Sequence, residues 1–172
     1  TTMDDPPSVP NRVGDNGTPP QLWHCGNGGD GGDAGHRLVL AGVAKTKKEA
    51  RFSIYGESIK NNHCVVGFGV HGEYFQEQSR WKHQLKPFLV GAKRGDKIFL
   101  HCSHLGTDVS VSHYGIYTGK CERAETICGV LVQEPIWLIK VEKWIPVQEP
   151  FRGAGKYKTL YKVEDDGEHY TY

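Results

Sequence analysis

No stretch of this chain approaches the run of about 18 apolar residues that marks a membrane-spanning helix. Its opening, TTMDDPPSVP, has neither the basic start nor the apolar centre of a secretion signal. The protein is therefore expected in solution inside the cell, with nucleus and cytoplasm both open. Cysteine is sparse: Cys25, Cys64, Cys102, Cys121 and Cys128 are odd in number and widely spaced, so no disulfide framework is expected. There is no Cys-x-x-Cys pair, no nucleophile elbow and no pair of carboxylates on a strand-like segment. These absences weigh against structural zinc, serine-type hydrolysis and two-carboxylate acid–base chemistry, and no metal or cofactor is expected.

Net charge is nearly absent too, at +1, but it is unevenly distributed. Residues 1–36 carry Asp4, Asp5, Asp15, Asp30 and Asp33 against Arg12, and the segment from Glu164 onward carries only acids. Residues 37–163 therefore hold 20 Lys and Arg against 11 Asp and Glu. A basic body between acidic ends suits a polyanionic partner, because clustered cations release counterions on meeting phosphates. An ordinary solvated surface has the same composition.

The 172 residues fit one core. Residues 1–36, rich in Gly, Pro, Asn and Asp, read as a flexible leader, with Trp23 expected to dock on the domain that follows. Residues 37–163 read as the folded domain, and 164–172 as an acidic tail. Within the domain, short runs rich in Val, Ile, Phe and Tyr predict strands at 37–43, 50–55, 63–70, 97–102, 112–119, 127–132, 136–144 and 157–163. Phe75, Gln78, Trp81 and Leu85 recur at helical spacing, predicting a short helix over 74–85 that Pro87 ends. The class is α+β, mainly β.

Several motifs mislead. Arg94-Gly95-Asp96 has the letters of an adhesion tripeptide but stands where a Gly-Asp turn would launch the strand at 97. GIYTGKC at 115–121 lacks the spacer, the Ser or Thr and the helix of a phosphate loop. His-Cys occurs at 24–25, 63–64 and 101–102, yet strand neighbours point to opposite faces, so each pair offers one ligand at most. Cys102 or Ser103 with a nearby His is a nucleophile-and-base combination without an orienting group. It leaves a small enzyme as one alternative. A protein-interaction module using exposed aromatics and the acidic ends is another.

The remaining signal is aromatic and basic residues interleaved on strands, which is how single-stranded or flipped bases are held when the rings are not simply core. The order RFSIYGES, HCVVGFGV, a helix, LKPFLVGAKRGDKIFLHCS, HYGIYTGK and WLIKVEKWIPVQEP resembles the EVE-like and YTH-like branches of the PUA-like superfamily. Gly95-Asp96 matches the family's turn, Ile98 to Ser103 its strand, and Tyr114 to Tyr117 the next strand. The resemblance covers about 100 residues and implies a small twisted PUA-like β-barrel with one or two packed helices. It further implies a non-catalytic reader of DNA or RNA that takes a flipped or modified base in an aromatic pocket. The walls would be Tyr55, Trp81 and Tyr114, with Phe68 as a further wall. Ser58 and Ser103 would hydrogen-bond the base, and Lys93, Arg94 and Lys120 would meet phosphate. The acidic leader could fold back on the basic body and compete with nucleic acid.

Overall fold

The computed structural model describes residues 19–26, 33–66, 81–153, 160–164, 170 and 172. In chain order the elements are β1 (Leu22–Gly26), α1 (Asp33–Leu40), α2 (Lys47–Asn61), β2 (His63–Val66), a π-helical turn (Trp81–Leu85), α3 (Lys86–Gly91), β3 (Lys97–Gly106), β4 (Val109–Ile127), β5 (Val130–Phe151) and β6 (Leu160–Lys162). The strands form one curled, half-barrel sheet in the order β2-β5-β4-β3-β1-β6. The molecule is mainly β with packed helices.

Two expected strands are helices. The residues Thr46 to Glu49 carry the signature of a capping box: Thr46 Oγ1 accepts the Glu49 N–H at 3.1 Å, and Glu49 Oε2 accepts the Lys45 N–H at 2.7 Å. The helix they start, α2, buries Ala50, Ile54 and Ser58 at intervals of four. It stops at Asn62, whose left-handed φ of 54° lets its N–H reach the Ser58 carbonyl. The strand expected at 50–55 is thus the first half of α2. The strand expected at 37–43 fails for a similar reason: Ala34 and Leu38 are buried four apart while Leu40 is 64 % exposed, a helical rather than an alternating pattern.

The expected leader also contains structure. β1 runs parallel to β3 and antiparallel to β6, so residues 22–26 have a strand on each side and all five are buried. Trp23 does dock on its own domain, 4 % exposed and edge-on to Phe88 at 5.0 Å between ring centres. At the other end of the chain Tyr170 is 2 % exposed; its hydroxyl lies 2.7 Å from His24 Nδ1 and 3.0 Å from the Tyr161 hydroxyl.

Cys25 on β1 and Cys64 on β2 form a disulfide, with their Cα atoms 6.8 Å apart. No such pairing was expected from the spacing. The curl of the sheet brings the edge strand β2 to β1, four strands away in the hydrogen-bonded order, and that closeness cannot be read from linear separation.

Pro87 begins a helix instead of ending one, because in the first turn of α3 its missing N–H costs nothing. Trp81 and Leu85 share a buried face, as their spacing predicts, and residues 74–80 lie outside the described residues. The segments at 97–102, 112–119 and 136–144 fall inside β3, β4 and β5. The strand expected at 127–132 is interrupted by the tight turn Cys128-Gly129, both residues at positive φ (50° and 76°), which joins β4 to β5.

Trp81, Phe88, Ile98, Leu100, Tyr117 and Trp137 fill the concave side of the sheet. Leu38, Ile54, Val65 and Ile136 make a second layer beneath α1 and α2. Phe99, Val111, Tyr161 and Tyr170 form a third cluster on the opposite face of β3 and β4. Gly115 belongs to the tightest contact: a Cβ there would lie 2.8 Å from Val141 Cβ and Cγ1.

Candidate functional site

Helix α2 brings Arg51 and Tyr55, four residues and roughly one turn apart, against the ends of β3 and β4. Tyr55 is half-buried and packs on the concave core. Its hydroxyl hydrogen-bonds Ser112 Oγ and lies 3.4 Å from His113 Nδ1, while Ser112 Oγ and His113 Nδ1 are 2.8 Å apart. Arg51 is 8 % exposed and its Nη1 donates to the Ser103 carbonyl at 3.3 Å. Phenol, hydroxyl, imidazole and guanidinium thus meet where α2 crosses the sheet.

Burial holds these groups uncharged except for the guanidinium. The Tyr55 phenol is pushed up, chiefly by desolvation, with the Ser112 hydrogen bond opposing and the neighbouring Cys102 adding. Burial lowers the proton affinity of His113, and that of His101 is lowered by burial and then by the Arg51 charge. Neutral imidazoles each offer one donor and one acceptor, so the cluster is equipped to exchange hydrogen bonds with a polar heterocycle. Cys102, beside Tyr55, is 2 % exposed.

Of the residues chosen from sequence, Tyr55 and Ser103 meet at this junction, Ser103 through its carbonyl. Ser58, on the same helix, is fully buried and uses its carbonyl to accept the Trp144 indole N–H at 2.8 Å. Trp81 is 5 % exposed and packs on Trp137 in the concave core, 6.4 Å between ring centres. Tyr114 packs with Phe99 and Tyr172 in the cluster on the other face of β3 and β4. Phe68 lies outside the described residues.

Lys93 and Arg94 are half-exposed and exposed in the turn before β3, and Lys120 is exposed on β4. The turn is tied to β4 by Gly95 N–H to the Tyr117 carbonyl at 2.9 Å and Tyr117 N–H to the Asp96 carbonyl at 2.8 Å. Asp96 itself is 3 % exposed and accepts from Gln21 N–H, Gln21 Nε2, Trp23 Nε1 and Lys93 N–H at 2.9 to 3.1 Å. The carboxylate that an adhesion receptor would need is consumed inside the fold.

Sequence reasoning missed Arg51, Ser112 and His113. The signal for Arg51 was the Thr46-x-x-Glu49 cap, which turns 50–55 into a helix and sets Arg51 and Tyr55 on one side of it. Ser112 and His113 carried no such signal, since their importance depends on which helix crosses the strand. Comparison of the chain with protein-family models, curated proteins and solved structures finds no match.

Proposed function

We propose that this protein is a non-catalytic nucleic-acid-binding domain of PUA-like architecture that takes a base, plain or modified, at Tyr55. The observation that carries the reading is the junction itself: a half-buried aromatic ring held by a hydroxyl and a neutral imidazole, with a guanidinium one helical turn away. An aromatic side chain offers a base a stacking surface worth about 1–3 kcal/mol, and Ser112 and His113 can trade their mutual hydrogen bond for the base edge. Lys93 and Arg94, in the turn bonded to Tyr117, and Lys120, further along β4 from the junction, would supply phosphate contacts to the strand beyond the bound base. Trp81 and Tyr114 have no part in this pocket. The Gly95-Asp96 turn into β3 and the mixed, curled sheet support the architectural half of the proposal.

The test is fluorescence polarisation with short single- and double-stranded DNA and RNA, unmodified and methylated, for the wild type and Tyr55→Ala. The reading expects salt-sensitive binding that the substitution weakens while the fold is retained. Equal binding by both proteins would remove Tyr55 from the interface.

A further inference from the structure

A second concavity lies on the face of β2, β5 and β4 that carries Val65 and Leu138, away from the concave core. The end of α2 roofs it through Glu57 and Asn61, and the space measures about 410 Å3, within the small-molecule range of about 300–1,000 Å3. The apolar part of its surface is Leu138 and Ala124, both half-buried, with the buried Val65 and Ile136 beneath them. One end is polar. His63 sits directly opposite Lys140 in the β2–β5 pairing, 6 % exposed, and both of its ring nitrogens are buried without a hydrogen-bond partner. A buried imidazole with neither nitrogen satisfied is a standing cost that a bound polar group would relieve.

The charges around His63 define what that group can be. Burial, followed by the nearby Lys140 ammonium, lowers its proton affinity, with Glu57 and Glu122 opposing, so the ring is neutral at pH 7 and keeps one N–H donor. Among the described residues Lys140 pairs with Glu122 at 3.6 Å, a partly exposed pair of the kind that exchanges readily. The Glu57 carboxylate, near enough to His63 to act on it, is engaged by the β4–β5 turn, its Oε2 accepting the Cys128 N–H at 2.7 Å. Donors therefore collect at the His63–Lys140 end and hydrocarbon lines the middle.

We propose that this groove binds a small carboxylic acid with an apolar body, its carboxylate meeting Lys140 Nζ and a His63 N–H and its hydrocarbon lying on the half-buried Leu138 and Ala124. The site is separate from the Tyr55 junction, and nothing in it requires nucleic acid.

The experiment titrates the full chain with hexanoate, hexanamide and hexylamine while following the His63 imidazole and the Val65 and Leu138 methyl groups by two-dimensional NMR. Hexanoate is expected to shift these signals saturably, with hexanamide and hexylamine at least about tenfold weaker. Lys140→Gln should weaken hexanoate by about tenfold or more, and Lys143→Gln, an exposed lysine further along β5, should leave it unchanged. Hexylamine binding as tightly as hexanoate, an equal loss in both lysine variants, or no saturable shift up to the solubility of hexanoate would each overturn the proposal.

Discussion

The indole N–H of Trp23 donates to Asp96 Oδ2 at 3.1 Å, across 73 residues of sequence. This bond ties the start of β1 to the turn that launches β3, and Gln21 and Lys93 donate to the same carboxylate. Asp96→Ala leaves several buried or half-buried donors without an acceptor. It should lower stability by at least about 3 kcal/mol, read as a fall in the urea midpoint. A loss under about 1 kcal/mol would show that the turn can repack without its carboxylate.

Gly115 is fixed by contact. Gly115→Ala would press a methyl group into Val141 at 2.8 Å and should cost about 1–3 kcal/mol. Pairing it with Val141→Gly, which removes the Cβ as well as both Cγ atoms, vacates that space, so the double variant should be more stable than the sum of the two single losses predicts. Strict additivity would contradict the packing.

The Cys25–Cys64 bond closes a 39-residue separation, and the chain-entropy relation assigns such a loop about 4 kcal/mol. Thermal unfolding with and without reductant should show a lower midpoint when the bond is reduced. Cys25→Ser and Cys64→Ser should each reproduce the reduced protein, and combining them should add little beyond either one.

Three histidines, one buried and two half-buried, set a pH dependence. The native proton affinities of His63, His101 and His113 are all lowered from the ordinary 6.5, mainly by burial. The unfolded chain therefore takes up these protons first as pH falls, so the stability they contribute is complete above about 6.5 and declines from there towards their lower native values. Urea unfolding at about pH 7.5 and about pH 5 should give the smaller free energy at the acid end. His101→Gln should flatten the slope.

Parts of the long hairpin were legible, at 112–119 and 136–144, because Val, Ile, Tyr and Trp recur there, and the Gly95-Asp96 turn announced β3, but the Cys128-Gly129 turn fell inside an expected strand. Helices α1 and α2 were hidden by the same residue types: Phe52, Ile54 and Tyr55 look strand-like until the Thr46–Glu49 cap is weighed against them. β1 was hidden because LWHCG sits between Gly- and Asp-rich stretches and is buried on both faces, so it shows no alternation. At the site, Tyr55 could be chosen from the family resemblance, but Trp81 and Tyr114 could not be told apart from core residues. Which face a ring occupies depends on register, and the bulges in the β3–β4 and β4–β5 pairings reset it.

The central claim is tested most directly by the salt dependence of nucleic-acid binding in wild type and Tyr55→Ala. The account predicts that wild-type affinity for a short single strand falls by at least about tenfold between about 50 and 200 mM salt. It also predicts that Tyr55→Ala weakens binding by about five- to a hundredfold at the lower salt, the equivalent of one lost stack, while urea unfolding shows the variant folded. Absence of binding at low salt, or identical affinities for the two proteins, would contradict it.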